Sequence, residues 1–237
     1  MCSIVKKKVK WTINSDFLNK IKRSINTADD EIAGKMLFTD YNCKNGTCNK
    51  SSTKFTIING DGPSVMTPKG IINYHTHPVS AYIGENAVYG WPSGEDLLET
   101  INFKKNNTLI HIVFTLEGAY IIHVNKLLSN VDRKLVERLF KMTHVFRTNN
   151  QNVQLKEFKK FVKPIFNTRS STTLGIWLQL VNKITIKDLR KFFGKLPSND
   201  NQKIFDVKLI KMNKNTLSFN AYYIHEKCHI KSFGKSR

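Results

Sequence analysis

The chain has 237 residues, with 38 basic against 18 acidic side chains, so its formal net charge is +20 at pH 7. No apolar run approaches the roughly eighteen residues that a bilayer requires, which excludes a membrane-spanning helix. Four cysteines and the absence of an apolar leader after Met1 argue against secretion and favour a reducing compartment such as the cytoplasm.

The first predicted helix lies near the start of the chain. Apolar residues recur at helical spacing from Phe17 to Ile25, which is typical of an amphipathic helix. The segment Asp29–Phe38 reads as the end of this helix running into an apolar strand. Glu31 would therefore lie at the exit of the helix.

A tight turn is predicted next. Residues 43–48 read Cys-Lys-Asn-Gly-Thr-Cys, and the Asn-Gly pair is a strong signal for a β-hairpin. The two cysteines would face each other across the hairpin as a disulfide or as free thiols. They could also join Cys228 and His229 in a second zinc site, although this spacing is poor for metal binding. Free thiols are the favoured interpretation.

A candidate metal site follows the apolar strand Ile71–Tyr74. Because strand side chains alternate between faces, His75 and His77 should project from the same face. Asp96 opens a helical-looking segment and is the natural third ligand. Two histidines and one carboxylate leave a tetrahedral position open, which fits a catalytic zinc better than a structural one. Composition alone supplies a His-x-His pair about one time in five, so its neighbours decide its meaning.

The segment after this site indicates a mixed α/β (α+β) fold. A helix is predicted over 96–105, and two strands over 109–115 and 119–124 should form a β-hairpin. His111 and His123 lie in these strands without ligand spacing. We interpret them as core or face residues.

Charge separates the second half of the chain from the first. Residues 1–125 carry 14 basic and 11 acidic side chains, a net charge of +3. Residues 126–237 carry 24 and 7, a net charge of +17. This difference predicts a first domain over residues 1–125 and a basic C-terminal extension over residues 126–237.

The extension is predicted to be mostly helical. Helices are indicated over 126–140, over 153–162 before Pro164, and over 185–193 before Gly194, and residues 174–181 are apolar enough to be core. Alternating residues over 203–224 predict a terminal β-hairpin.

The first half also carries a more specific pattern. Glu31-Ile32-Ala33-Gly34 precedes an apolar stretch, His75-Thr76-His77-Pro78 follows, and Trp91-x-Ser93-Gly94-x-Asp96 completes the pattern. In type, order and local context these residues resemble the MPN/JAMM zinc metalloproteases, which include deubiquitinating subunits of the proteasome lid and the signalosome. The resemblance covers about residues 15–125 and implies a mixed β-sheet flanked by helices.

The resemblance also implies roles for individual residues. His75, His77 and Asp96 would bind one Zn²⁺, Glu31 would act as general acid/base, and Ser93 would help to stabilise the oxyanion. Zinc lowers the pKa of a bound water towards neutrality, and a carboxylate can pass that proton to a leaving amine. One hydroxyl donor at the oxyanion contributes about 3 kcal/mol. The implied activity is that of a zinc-dependent isopeptidase that removes ubiquitin or a ubiquitin-like modifier.

One segment departs from the family pattern. The insertion Pro78–Pro92 is fifteen residues long, which is longer than the family usually has. Because both its ends are tied to the metal site, it should lie beside the substrate cleft. Tyr82 and Tyr89 could contact substrate there, or could cap a solvent loop. Glu85 and Glu95 are interpreted as solvated carboxylates rather than ligands.

The basic extension 126–237 would attract nucleic acid, an anionic membrane surface or an acidic protein. The chain has 31 Lys and 7 Arg, however, and Lys is the weaker residue for bidentate recognition of phosphates or bases. The composition also fits an AT-rich genome, such as that of a large DNA virus or a protist. A viral protein would act in the host cytoplasm or the virion.

The alternative function is a catalytically silent MPN-like scaffold, or a nucleic-acid-binding protein, that works through the basic half. Inactive members of the family normally lose metal ligands. This chain keeps the three predicted ligands together with Glu31 and Ser93. The sequence therefore favours the enzyme.

Overall fold

The computed structural model describes residues 2–44, 47–60, 65–148, 151–212 and 216–228. The predicted mixed α/β fold is confirmed. The strands are β1 (Cys2–Ile13), β2 (Ile32–Lys44), β3 (Thr47–Phe55), β4 (Ile58–Asn59), β5 (Ile72–Thr76), β6 (Ile110–Phe114), β7 (Ala119–Val124), β8 (Phe205–Ile210) and β9 (Leu217–Cys228). The helices are α1 (Ser15–Thr27), α2 (Val79–Gly84), α3 (Gly94–Lys105), α4 (Asn130–Lys141), α5 (Gln151–Val162), α6 (Thr173–Lys183) and α7 (Ile186–Phe192), with a 3₁₀ turn at His144–Arg147.

Local sequence explains the helix that precedes Glu31. The Asn14 side chain caps α1 by accepting a hydrogen bond from the Phe17 amide at 3.0 Å. Phe17, Leu18, Ile21 and Ile25 are buried on one face, as the helical spacing predicts. None of the helices in the described ranges is long and apolar enough to cross a membrane.

The predicted hairpin at residues 43–48 is borne out by the backbone. β2 and β3 pair antiparallel with Cys43 opposite Cys48 and Lys44 opposite Thr47. The two turn residues, the cysteine side chains and His229 lie outside the described part of the chain. The choice between free thiols, a disulfide and a second zinc site therefore stays a prediction.

The described strands form one mixed sheet in the order β8-β7-β6-β5-β2-β3-β1-β9, with β4 also paired to β2. β5 lies parallel to β6, and β1 lies parallel to β3. The other neighbouring pairs are antiparallel, including the predicted β6–β7 hairpin.

The last two strands lie at opposite edges of this sheet. β8 pairs with β7, and β9 pairs with β1, so the terminal hairpin predicted over 203–224 does not form among the described residues. Seven strand spacings of a flat sheet would separate these edges by about 34 Å. The seven Cα–Cα steps from Ile210 to Leu217 reach at most about 25 Å. The sheet must therefore curl so that its two edges approach each other.

Two hydrophobic cores lie on the two faces of the sheet. The first joins Phe17 of α1 to Tyr74 and Phe114, with ring centroids 5.1 and 6.0 Å apart. The second joins Trp91 and Leu97 to helices α4–α7 and includes Trp177. This second core and the strand pairings both cross residue 125. The division into domains at that position stays a prediction, and the two halves pack on a common sheet.

Alternation along β5 sends chemically different residues to the two cores. Ile72 and Tyr74 are buried against the α1 side. Asn73, His75 and, just beyond the strand, His77 belong to the opposite set and are also buried. This confirms that the two histidines share a face, which lies towards α3.

Candidate metal centre

The predicted ligands His75, His77 and Asp96 come together in the structure. Together they form a group that could hold a metal ion. His75 and His77 are 5% and 8% exposed, and the backbone amide of His77 extends the ladder by donating to the Phe114 carbonyl at 2.9 Å. Asp96 lies in the first turn of α3. A strand and a helix start therefore fix the three side chains.

Their spacing fits a tetrahedral metal. The Nε2 atoms of His75 and His77 are 3.1 Å apart. The Asp96 carboxylate lies 3.2 Å from His75 Nε2 through Oδ1 and 3.4 Å from His77 Nε2 through Oδ2. Ligands at about 2.0–2.1 Å from a tetrahedral zinc are separated from one another by about 3.3–3.4 Å. The three donor groups are thus spaced like three corners of a zinc-centred tetrahedron.

A hydrogen-bond chain across the sheet sets the tautomer of His75. Asn73 uses its Nδ2 to donate to the Pro68 carbonyl at 3.2 Å, which leaves Oδ1 to accept from His111 Nδ1 at 2.8 Å. Burial keeps the pKa of His111 well below its usual value, so its Nε2 is an acceptor. His75 Nδ1 lies 3.0 Å from that atom and must donate to it. The lone pair of His75 Nε2 is then free for a metal.

A backbone carbonyl does the same for His77. Its Nδ1 lies 2.8 Å from the Gly90 carbonyl oxygen, which can only accept. His77 Nε2 therefore also carries a lone pair towards Asp96. Two lone pairs and a carboxylate that face one another require a positive charge between them.

The pKa shifts of His77 and Asp96 reflect the same need for a positive charge between the three side chains. Burial opposes a charged imidazole, but the hydrogen bond and charge of Asp96 outweigh it and raise the pKa of His77 to about 9. Burial likewise opposes the Asp96 carboxylate, yet the two histidines hold its pKa well below the usual range. A proton or a metal ion would satisfy this group of donors. The residues present fit a zinc ion by donor type, spacing and tautomer.

Glu31 lies beside the three predicted ligands. It follows α1, and its Oε1 is 3.8 Å from His77 Nε2. The neighbouring Ile32 amide donates to Thr76 Oγ1 at 3.0 Å, which ties this segment to β5. Burial raises the pKa of Glu31, and the nearby histidines oppose that shift. A buried carboxyl with a raised pKa is suited to accept and release a proton.

Ser93 has a structural contact in addition to its predicted role. Its Oγ accepts a hydrogen bond from the Asp96 amide at 3.0 Å, while Asp96 Oδ2 accepts from the Ser93 amide at 2.6 Å. This reciprocal cap fixes Asp96 at the start of α3. Among the described residues the Ser93 hydroxyl hydrogen has no acceptor, so it can donate into the cleft.

These residues line one cavity of about 600 Å³. The insertion 78–92 forms one wall of this cavity and includes helix α2. Tyr82 and Tyr89 both line it, but the Tyr82 hydroxyl donates to Glu117 Oε2 at 2.6 Å. Tyr89 stacks on Trp91 with ring centroids 5.7 Å apart. Both tyrosines are thus fixed parts of the cavity wall rather than caps of a solvent loop, and their contact with substrate stays a prediction.

The insertion also contacts the predicted ligand His77 through Gly90. Glu117 Oε1 accepts from the Gly90 amide at 2.9 Å, and the carbonyl of the same residue orients His77. A β-carbon at this position would lie 2.1 Å from the Tyr82 hydroxyl oxygen. Only glycine therefore allows this close approach.

The opposite wall comes from the basic half, which the sequence did not predict. His144 and Arg147 of the 3₁₀ turn line the same cavity as the ligands. Arg147 is 6% exposed and forms an ion pair with Glu85 of the insertion, and its carbonyl accepts from the Val88 amide at 2.7 Å. Glu85 is therefore not merely solvated. No spacing pattern in the sequence connects these residues to the ligands.

His144 carries a buried atom without a partner. Its Nδ1 lies 3.2 Å from Arg147 Nη2, but its Nε2 is buried and has no hydrogen-bond partner among the described residues. Leaving a buried donor or acceptor unsatisfied costs about 1–3 kcal/mol. Such an atom in a cavity calls for a ligand or a water molecule.

The remaining residues singled out in the sequence have ordinary contacts. Glu95 is exposed and lies 3.6 Å from Lys141, as expected for a solvated residue. His123 donates from Nδ1 to the Leu109 carbonyl at 2.8 Å. His111, interpreted as a core residue, is buried but also supports His75. The register of the parallel pair, with Asn73 opposite His111, is the signal that could have found it.

The chain matches no protein-family profile and no solved structure. It is 37% identical over 65 residues to an uncharacterized protein of Frog virus 3, a match that covers 27% of this chain and 14% of the viral protein. It is 31% identical over 112 residues to a CRISPR-associated protein of Methanocaldococcus jannaschii, a match that covers 47% of this chain and 16% of the archaeal protein. The chain thus spans only about one seventh of the viral relative and about one sixth of the archaeal one.

Proposed function

We propose that this protein is a zinc-dependent isopeptidase of the JAMM type. The observation that carries the proposal is the spacing of 3.1–3.4 Å between the donor atoms of His75, His77 and Asp96. Glu31 Oε1 lies 3.8 Å from the nearer histidine nitrogen. Three ligands leave a tetrahedral site open to a reactant, and a carboxyl beside that opening is suited to proton transfer.

The residues present would have separate roles in amide hydrolysis. A zinc ion held by His75, His77 and Asp96 would polarise a carbonyl oxygen and lower the pKa of a water molecule towards neutrality. Glu31 would take a proton from that water molecule as the water oxygen bonds to the carbonyl carbon. It would then give the proton to the leaving amine as the carbon–nitrogen bond breaks. Ser93 would donate its hydroxyl hydrogen to the developing oxyanion.

The substrate follows from the resemblance of the three motifs to MPN/JAMM deubiquitinases. We propose that the scissile bond is the isopeptide bond to ubiquitin or a ubiquitin-like modifier. The cleft lies between the insertion 78–92 and the 3₁₀ turn His144–Arg147. An extended chain end with small residues could enter such a cleft, and its conjugated lysine would leave as the amine.

The test combines metal analysis with an activity assay. The purified chain should retain about one zinc per molecule and cleave Lys-linked di-ubiquitin, and a chelator should abolish the cleavage. Glu31→Gln should keep the zinc and lose the activity. The matched control is Glu95→Gln, which changes an exposed carboxylate at the rim of the same cavity. A chain without zinc, or an active Glu31→Gln variant, would refute the proposal.

A second candidate function rests on the charge of the basic half. Residues 126–237 carry a net charge of +17, and Lys159, Lys160 and Lys163 surround a small cavity with Phe166. This surface supports a proposed contact with nucleic acid or an acidic protein, either beside the isopeptidase or in a catalytically silent scaffold. Binding of a DNA or RNA oligomer should weaken steeply with added salt. Absence of binding at low salt would remove the nucleic-acid proposal.

A further inference from the structure

One pair of residues in the metal cleft has no role in the proposed hydrolysis. His144 and Arg147 belong to the basic half, yet both line the cavity that contains the ligands. The charges of Asp96 and His77 also act on His144, which places it within electrostatic range of the metal centre. Its Nε2 is buried and has no partner among the described residues.

The neighbouring arginine determines which hydrogen His144 carries. A guanidinium group only donates, so His144 Nδ1 must accept the hydrogen bond from Arg147 Nη2 at 3.2 Å. Burial, with the added effect of the Arg147 charge, lowers the pKa of His144 to about 4, so the ring is neutral at pH 7. A neutral imidazole that accepts at Nδ1 carries its hydrogen on Nε2. The unpartnered atom is therefore a hydrogen-bond donor.

The surrounding charges select the kind of oxygen that this donor would bind. Arg147 is neutralised by its ion pair with Glu85, which the insertion holds in place. His144 itself adds no charge. Arg147 Nε is also buried without a partner among the described residues, and the charge of Lys141 also acts on His144. Both cations face a carboxylate, Arg147 through Glu85 and Lys141 through Glu95, so the subsite offers hydrogen-bond donors whose positive charge is balanced. Such donors suit a carbonyl oxygen better than a carboxylate or phosphate.

We propose that His144 donates a hydrogen bond from Nε2 to a carbonyl oxygen of an amide substrate bound in the metal cleft. This inference rests on the proposed hydrolytic function and adds a substrate-binding residue from the basic half. Arg147 is the positioning residue that keeps the His144 ring in its donor tautomer. The insertion takes part because Glu85 fixes Arg147.

The tautomer is tested first, in the unaltered chain. Long-range ¹H–¹⁵N correlation spectra of the histidine rings should show His144 as a neutral ring with its proton on Nε2 at pH 7. In Arg147→Met the ring should populate both tautomers, because the fixed donor to Nδ1 is gone. A charged His144, or a proton on Nδ1 in the unaltered chain, overturns the proposal.

The hydrogen bond is tested with acetohydroxamate, a small zinc ligand that contains an amide carbonyl. Zinc-loaded His144→Phe should bind this probe about tenfold more weakly than the unaltered chain, since it lacks the donor. His144→Gln, whose amide nitrogen can replace Nε2, should bind almost normally. Zinc content should be the same in all three proteins, and inorganic phosphate should bind equally weakly to each.

The outcomes separate this inference from the proposed function. Equal acetohydroxamate affinities in the unaltered chain and His144→Phe overturn the subsite, whether or not di-ubiquitin is cleaved. A His144-dependent affinity in a protein that cleaves no ubiquitin conjugate supports the subsite and removes the ubiquitin assignment. A chain that binds no zinc overturns both.

Discussion

The two histidines of the candidate metal centre are held in the same tautomer by different kinds of structure. His75 is supported by His111 and Asn73, which lie opposite each other on the parallel strands β5 and β6. His77 is supported by the carbonyl of Gly90, which belongs to the insertion. The sheet therefore fixes one ligand through side chains, and the insertion fixes the other through its backbone. Substitutions should affect the two sides differently.

The largest effect should come from Asp96, which contacts both histidines. Asp96→Asn can keep the helix cap with Ser93, but it removes the negative charge that the metal site needs. We expect zinc affinity to fall more than about 100-fold, since Asp96 is proposed as a direct ligand. Competition with a fluorescent chelator measures the change. Glu99→Gln, further along α3, should leave zinc affinity unaltered, and an Asp96→Asn variant with normal affinity would contradict the assignment.

The next largest effect should come from removing the hydrogen bond that orients His75. His111→Phe keeps a ring of similar size but removes the acceptor for His75 Nδ1. Loss of such a supporting contact typically weakens metal binding by about 10–100-fold. His123→Phe is the control, because that strand histidine donates to the Leu109 carbonyl instead. If the two variants bind zinc equally well, His111 has no role in orienting His75.

A substitution at Gly90, whose carbonyl orients His77, should lower the stability of the fold more than the zinc affinity. Gly90→Ala would place a β-carbon 2.1 Å from the Tyr82 hydroxyl oxygen, which Glu117 holds in place. We expect the free energy of unfolding to fall by about 1–3 kcal/mol, as for other overpacked sites. Zinc affinity should fall less than tenfold, because the carbonyl can follow a shift of the backbone. Denaturant unfolding measures the first change.

The control for this variant lies in the same insertion. A β-carbon at Gly84 would meet no atom within 4 Å. Gly84→Ala should therefore leave both stability and zinc affinity close to those of the unaltered chain. Equal destabilisation by the two substitutions would contradict this explanation. It would show that the insertion tolerates no added methyl group, whether or not that group meets Tyr82.

The smallest effect on the cleft should come from an ion pair in the basic half. Arg190 donates two hydrogen bonds to Asp132 at 2.8 and 3.0 Å and joins α7 to α4. The Arg190 hydrogen bond lowers the pKa of Asp132, which burial opposes. The pair therefore stabilises the fold above the ordinary pKa of about 4 and loses this contribution as the pH falls through the lower folded pKa. Asp132→Asn should be less stable at pH 7, with zinc affinity unchanged.

Urea unfolding at pH 7 and at pH 2.5 measures this dependence. The difference between Asp132→Asn and the unaltered chain should shrink at the lower pH. Asp16→Asn, at an exposed first-turn position of α1, should show a much smaller difference at pH 7. A difference that is the same at both pH values would contradict the lowered pKa.

The sequence predicts those parts of the site that depend on short-range geometry. Strand alternation places His75 and His77 on one face, and the start of a helix supplies Asp96. His111 could not be assigned to the site, because its role depends on the pairing of β5 with β6 across about 38 residues. His144 lies further away still, in a 3₁₀ turn that packs into the second core through Phe146.

The same distinction applies to the fold. Helical spacing predicts α1, and the Asn-Gly pair predicts the pairing of β2 with β3. The terminal hairpin was wrong because alternation indicates a strand but does not name its neighbour. β8 pairs with β7 and β9 pairs with β1, and both partners belong to the first half of the chain. Such long-range pairing depends on the whole sheet rather than on local residues.

The pairing of β1 with β9 has a consequence for how the protein folds. Thr12 and Ser218, whose hydroxyls lie 3.1 Å apart, are separated by 206 positions in the sequence. Contacts at such separation slow folding, because a long loop must close before they form. During synthesis, β1 leaves the ribosome long before its antiparallel partner exists. We expect this edge to attract chaperones, or other nascent chains, until β9 covers it.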